Sequence, residues 1–273
     1  MLDVATAQAR SFGWEPIVGE HADARTGYLA GSDVHRLHDL NGALRDDTID
    51  GIWCVRGGYG AMRLLDGLDV HAMRRRPRTL IGYSDITVLH AAFGTAADVV
   101  TFHGPHAASL LSPFSRDSLE RATVAHRDPC GDAPGARTLR PGRADGRLAG
   151  GNLSLLASLC GTRFAPDYTD CILVLEDIGE PTYRIDRMLR QLALSGALAR
   201  VAGFAFGQFS DGTAPGDVSS RDLDEVLCEA ADIAGVPAVA GIPLGHIDDQ
   251  WTIPLGAMAE LDAERRSLHA SIA

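Results

Sequence analysis

The chain has 273 residues, enough for one large domain or two of ordinary size around a real buried core. Hydrophobic residues make up 45% and charged residues 22%. No apolar run approaches the length of a membrane span and no charged-then-apolar leader opens the chain, so a soluble cytoplasmic protein is expected. The formal charge of −11, carried with arginine as the only basic side chain besides histidine, opposes general affinity for nucleic acid or a membrane surface and excludes a lysine base or Schiff-base nucleophile.

In chain order, the first pattern is a helix over residues 2–11, directly after Met1, where an α/β domain normally opens with a strand. Short β-rich runs follow at Ile17-Val18, Gly51-Ile52-Trp53-Cys54-Val55, Thr79-Leu80-Ile81 and Val99-Val100-Thr101-Phe102, separated by helical patterns. That alternation predicts βα units on a parallel sheet. In such sheets ligands collect beyond the carboxyl ends of the strands, so the turns after Val55 and Ile81 are expected to face one crevice. Residues 112–147 are rich in Pro, Gly, Arg and Asp and read as a crossover. The expected organisation is therefore an N-terminal α/β domain over 1–112, a linker over 113–147 and a C-terminal domain over 148–273.

In the second half, Gly150-Gly151-Asn152-Leu153 opens a helix over 154–160, and Cys171-Ile172-Leu173-Val174-Leu175 is a strand ending in Glu176-Asp177. A helix over 185–192, a buried strand over 201–209 and a helix over 223–231 come next. A strand over 237–244 then runs into Gly245-His246. The last expectation is a hairpin-like pair at Trp251-Thr252-Ile253-Pro254 and residues 257–261.

The turn Gly82-Tyr83-Ser84-Asp85 lies between a strand and a helix and lifts one serine out of the backbone. A hydroxyl there can attack a carbonyl while helix-start N–H groups hold the oxyanion. Ser-Asp before an apolar helix is equally the pattern of an N-cap, and the local sequence favours that reading. Glu176 can orient a histidine from a strand end or serve as a turn acid, with Asp177 and Glu180 as rivals for the role. His246, on a glycine-flanked loop, is a candidate general base or an ordinary surface histidine. The loop Arg56-Gly57-Gly58-Tyr59-Gly60 lacks the spacing of a dinucleotide fingerprint and is read as an oxyanion loop opposite Ser84. His103 and His106 flank a Gly-Pro that breaks any helix, which argues against a metal site. Five scattered cysteines with no Cys-x-x-Cys pair predict reduced thiols.

Taken together, several segments resemble the LD-carboxypeptidase family of serine peptidases. They are Gly27-Tyr28-Leu29-Ala30-Gly31, Ile52-Trp53-Cys54-Val55-Arg56-Gly57-Gly58-Tyr59-Gly60, Ile81-Gly82-Tyr83-Ser84-Asp85, His103-Gly104-Pro105, Gly150-Gly151-Asn152-Leu153, Leu175-Glu176-Asp177-Ile178-Gly179-Glu180, Tyr183-Arg184-Ile185-Asp186-Arg187-Met188-Leu189 and Pro243-Leu244-Gly245-His246. The resemblance implies a Rossmann-like or flavodoxin-like N-terminal domain and a β-rich C-terminal α/β domain, with the active site between them. It implies a Ser84–His246–Glu176 triad, an oxyanion hole from the N–H groups of Gly58 and Asp85, no metal or cofactor, and a homodimer. The implied reaction is removal of terminal D-alanine from murein tetrapeptides in the cytoplasm. Arg56, Gly57, Tyr59, Arg163 and Arg184 are candidates for holding the substrate. Two alternatives stand beside it: a microcin-C-type immunity peptidase that cleaves aminoacyl-nucleotides, and a non-catalytic ligand-binding α/β module. The family usually begins with a strand carrying a Val-Ala-Pro-Ser type turn, and Met1 falls beyond it, so a start further upstream is expected.

Overall fold

In the computed structural model, which describes residues 1–212 and 221–272, the N-terminal half is built on three parallel strands. These are β1 (Gly51–Trp53), β2 (Thr79–Gly82) and β3 (Thr101–His103), with Ile52 opposite Leu80 and Ile81 opposite Phe102. Around them stand α1 (Leu2–Ser11), α2 (Asp33–Arg45), α3 (Val70–Arg75) and α4 (Thr87–Ala97). Local chemistry starts two of these helices. Ser32 Oγ accepts from the His35 N–H at 3.2 Å to cap α2, and Asp69 Oδ1 accepts from the Ala72 N–H at 2.9 Å to cap α3. Helix α4 is apolar nearly all round and is accordingly buried, with Val88, Leu89, Ala92 and Phe93 packed among Leu44, Leu65, Met73 and Leu80.

The expected strand at Ile17-Val18 is absent. Ile17 is 71% exposed in irregular chain. Two β-branched residues between Pro16 and Gly19 find no strand to pair with, and β propensity expresses itself only against a partner. The strand expected at Val99-Val100-Thr101-Phe102 starts two residues later, since Val99 and Val100 precede β3.

Residues 112–147, read as a crossover, hold more structure than their composition suggests. Pro113 at the first turn and a Ser112 cap start α5 (Pro113–Thr123), and β4 (Gly131–Asp132) and β5 (Arg137–Arg140) follow. Then come β6 (Arg143–Asn152), α6 (Leu153–Leu159), β7 (Cys171–Ile178), α7 (Thr182–Leu194), β8 (Gly203–Ser210), α8 (Leu223–Ala234), β9 (Ala238–Ala240), β10 (Ile253–Leu255), β11 (Met258–Asp262) and β12 (Ser267–Ser271). Eight strands form one sheet in the order β4-β12-β11-β6-β7-β8-β9-β5, and β6 to β9 are its parallel centre. Thus the glycine- and arginine-rich segment supplies both edges of the large sheet. Edge strands need little apolar content, which is why periodicity missed them.

The C-terminal hairpin pairs differently from expectation. Strand β10 leaves its neighbour and adds antiparallel to β3, with Ile253 opposite His103, which completes a four-stranded sheet β1-β2-β3-β10. Its Pro254 is tolerated because β10 is an edge strand there. The partner of β11 is β12, a strand the apolar pattern of Ser267-Leu268-His269-Ala270-Ser271 marks only weakly. The expected strand over 237–244 shrinks to β9 because Gly241 turns the chain away at φ +86°.

Strand β7 divides the core between its two faces. Ile172 and Val174 pack with Trp251, Ile253 and Leu261, while Leu173 and Leu175 pack with Phe204, Phe206 and Leu189 beneath the helices. No helix among the described residues is long and apolar enough to cross a membrane.

Candidate active site

Strand β2 ends at Gly82, Tyr83 is extended, and Ser84 then takes φ +62°, a left-handed conformation uncommon for a residue with a side chain. Holding it there costs on the order of 1–2 kcal/mol. One 3-10 turn, Ser84–Ile86, leads into α4, and no side chain caps that helix. The capping role expected of this Ser-Asp pair is therefore not performed by either residue at α4. Asp85 instead reaches across the crevice, where its Oδ2 accepts the Ala61 N–H at 2.7 Å and caps the 3-10 turn Ala61–Gly67. Burial pushes the Asp85 carboxyl above the usual carboxylate range, partly offset by that bond.

Asp85 thereby ties the Arg56-Gly57-Gly58-Tyr59-Gly60 loop to the serine turn. The approach is close: a Cβ on Gly57 would stand 3.0 Å from Ser84 Cβ and 3.3 Å from Ser84 Oγ. Gly58 follows at φ +100°. Tyr59 is largely exposed and meets the exposed Tyr28 edge-on, with ring centroids 5.6 Å apart. The Arg56 guanidinium lies beside Gly58, 3.7 Å from where its Cβ would be. Arg163 pairs with Asp66 at 2.9 Å, and Arg184, in the first turn of α7, pairs at 3.4 Å with Glu180, which precedes that helix.

Glu176 lies within β7, opposite Asn152 of β6, rather than just past the strand's end. Its side chain is fully buried, and its Oε2 lies 2.8 Å from His246 Nδ1. Burial raises the Glu176 pKa, and the hydrogen bond to His246 pulls the other way. The histidine reaches it because Gly245, at φ +120°, passes so close that a Cβ there would stand 3.1 Å from Glu176 Oε2. The rival acids are committed elsewhere. Asp177 accepts from Asn152 Nδ2 at 2.9 Å and from Ser154 Oγ at 2.6 Å, which fixes the start of α6.

The His246 loop is anchored from the far side by α5. Ser115 Oγ donates to the Asp248 carbonyl at 2.7 Å and accepts from the Gln250 N–H at 2.8 Å, and Ser118 Oγ accepts from the Thr252 N–H at 2.8 Å. Below the crevice, Thr87 Oγ1, at the start of α4, accepts the Asn152 N–H at 3.0 Å and joins the two halves. The Tyr83 ring lies 4.9 Å from the His246 ring, so the residue before Ser84 touches the histidine directly. The hydrogen bond His246 makes through Nδ1 goes to Glu176, and Ser84 and His246 are not themselves hydrogen-bonded.

Thr87 and Ser115 carry no motif that singles them out in the sequence; Tyr83 shows only as part of the Gly82-Tyr83-Ser84 turn, and His106 only as a metal-ligand candidate that its Gly-Pro context argues against. His90, His103 and His106 are buried close by, and loss of water lowers all of them, His90 and His106 to about 4. Among the described residues no group of three or more His, Cys, Asp or Glu is placed to hold a metal ion.

This arrangement has close parallels. Residues 1–104 match the LD-carboxypeptidase N-terminal domain and residues 145–261 the LD-carboxypeptidase C-terminal domain. The chain belongs to the LD-carboxypeptidase family. It is 36% identical to the murein tetrapeptide carboxypeptidase of Pseudomonas aeruginosa, across 97% of this chain and 89% of that one. It is 35% identical to a probable murein peptide carboxypeptidase of Bacillus subtilis, across 97% of this chain and 85% of that one. The crystal structure of muramoyltetrapeptide carboxypeptidase from Oxalobacter formigenes superposes with a TM-score of 0.88 at 29% identity, covering 98% of this chain and 92% of that chain. A MccF-like protein from Bacillus anthracis shares the fold, with a TM-score of 0.87 at 24% identity over 99% of this chain and 91% of its own.

Proposed function

We propose that this protein is a serine-type LD-carboxypeptidase that releases terminal D-alanine from murein tetrapeptides in the cytoplasm, through an acyl-enzyme on Ser84. The observation that carries the reading is the buried Glu176–His246 pair at 2.8 Å, with Tyr83 in contact with that histidine and Ser84 left-handed immediately after it. The relatives named as murein peptide carboxypeptidases supply the substrate class.

In this mechanism the Nδ1–H of His246 donates to Glu176, which leaves Nε2 free to take the Ser84 proton as the hydroxyl attacks the scissile carbonyl. The N–H groups of Gly58 and Asp85 receive the oxyanion, and losing one such donor costs about 3 kcal/mol of barrier. His246 then protonates the departing D-alanine amine, and water, deprotonated by the same ring, hydrolyses the ester. Of the three arginine candidates, Arg56 is the one with no carboxylate partner among the described residues, and it stands at the glycine loop; we assign it the substrate carboxylate.

Ser84→Ala is expected to abolish D-alanine release from a murein tetrapeptide while the circular dichroism spectrum stays that of the folded protein. Undiminished release would end the reading. Parallel assay with an aspartyl sulfamoyl adenylate separates it from an aminoacyl-nucleotide peptidase, which would turn over that compound in preference to the tetrapeptide.

A further inference from the structure

Behind the serine turn lies a histidine to which the mechanism above gives no part. His106 follows β3 and is 6% exposed. Its Nε2 lies 3.0 Å from the carbonyl oxygen of Tyr83, the residue before Ser84, and 3.4 Å from the N–H nitrogen of the same residue; the shorter contact is a donated bond in the Nε2–H tautomer. Its ring stacks on the Tyr83 ring, centroids 4.3 Å apart and planes 30° apart. Its Cε1 is 3.1 Å from the point where a Cβ on Gly57 would stand. One imidazole therefore touches both the turn that bears Ser84 and the loop that bears Gly58.

The segment that carries His106 is itself held by the chain entering that loop. Ala107 N–H donates to the Cys54 carbonyl at 2.9 Å and Ala108 N–H to the Val55 carbonyl at 3.2 Å, while Trp53 Nε1–H donates to the Pro105 carbonyl at 2.7 Å. Burial keeps the ring neutral, its pKa pushed down to about 4, so with Nε2 protonated it donates one hydrogen bond at this position without bringing a charge next to His246. A left-handed serine persists only where its surroundings over-determine it. His106 is placed to do so from beneath.

We propose that His106 is a positioning residue: donating Nε2–H to the Tyr83 carbonyl, stacked on the Tyr83 ring and packed on Gly57, it holds Ser84 and the glycine-loop amides in one register. The inference rests on the serine mechanism proposed above. It differs from a plain packing role, because the hydrogen bond sets the orientation of the peptide that precedes the nucleophile.

The test compares His106→Leu, which keeps approximate volume but has no donor, with His106→Gln, whose amide nitrogen can stand near the position of Nε2. Readouts are kcat and KM for D-alanine release, the rate of covalent labelling of Ser84 by a fluorophosphonate, and the melting temperature. His106→Leu is expected to lower kcat and the labelling rate by about 10- to 100-fold with KM nearly unchanged, and His106→Gln to recover most of the labelling rate. If the leucine variant does not fold, His106→Phe keeps the stacking without the donor and takes its place. Labelling of the donor-less variant at the wild-type rate overturns the inference, as does an equal loss in both variants that follows their melting temperatures. A wild-type protein that is not labelled at Ser84 at all overturns the serine mechanism and this inference together.

Discussion

Glu176, the carboxyl that the proposed mechanism pairs with His246, is fully buried, and that burial carries a pH dependence. Burial raises its pKa, so the fold binds that proton more tightly than the unfolded chain does. Such a group stabilises the fold most below its unfolded pKa of about 4.3 and loses that contribution as pH rises through the folded value. Glu176→Gln removes this dependence. The melting temperature of the variant relative to wild type is therefore expected to climb between pH 4 and pH 8. Over the same range kcat is expected to fall by about 10³- to 10⁴-fold, because the amide does not stabilise the imidazolium. A thermal melt series alongside steady-state kinetics checks both, and a flat stability difference would count against a buried, raised carboxyl.

At the scale of elements, the decisive contacts join pieces distant in sequence. Helix α5 lies in the segment whose composition read as a crossover, yet Ser115 and Ser118 on it hold the loop after His246. Ser115→Ala leaves the Gln250 N–H and the Asp248 carbonyl without their buried partner, which costs about 1–3 kcal/mol. Because that loop carries His246, kcat is expected to fall too, with KM little changed. Ser118→Ala breaks comparable bonds to the Pro129 carbonyl and the Thr252 N–H, further along the chain from His246. It is expected to cost similar stability with a smaller loss of kcat, and equal kcat losses in the two variants would refute the distinction.

Over the whole molecule, the two sheets are not independent. Strand β10 belongs to the C-terminal half of the chain but pairs with β3, and Thr87 on α4 binds Asn152 on β6. Titration of the buried histidines between them should be visible in global stability. His90 and His106 are lowered to about 4 and burial lowers His103 as well, so these rings stay neutral in the fold and charge on unfolding. Their contribution is fully present above the unfolded pKa of about 6.5 and is lost as pH falls toward about 4, with Glu176 and Asp85 working in the opposite sense. His103, with neither ring nitrogen hydrogen-bonded among the described residues, offers the cleanest test. His103→Leu is expected to make the fall in stability between pH 6.5 and pH 5 shallower by up to about 1.4 kcal/mol per pH unit, the value of one proton. Chemical denaturation at several pH values measures it, and an unchanged slope would show that His103 is not neutral in the fold.

Much of this is legible in the amino-acid sequence. The 3.6-residue periodicity of Leu2–Ser11 and Leu223–Ala234, the apolar run of β7 and the parallel βα alternation all follow from local burial patterns. Ser84, Glu176, His246 and the Arg56 to Gly60 loop stand out because serine turns, strand-end acids and paired glycines are local signatures of chemistry. Their mutual geometry is not local. The 2.8 Å contact between residues seventy apart, the reach of Asp85 to Ala61 instead of its own helix, and the passage of β10 to the other sheet depend on which surfaces meet when the chain collapses. A strand such as Ile17-Val18 fails for the same reason, since pairing needs a neighbour that local sequence does not supply. Which residue types are present is written along the chain, but their distances and buried electrostatics arise only where remote segments exclude water together.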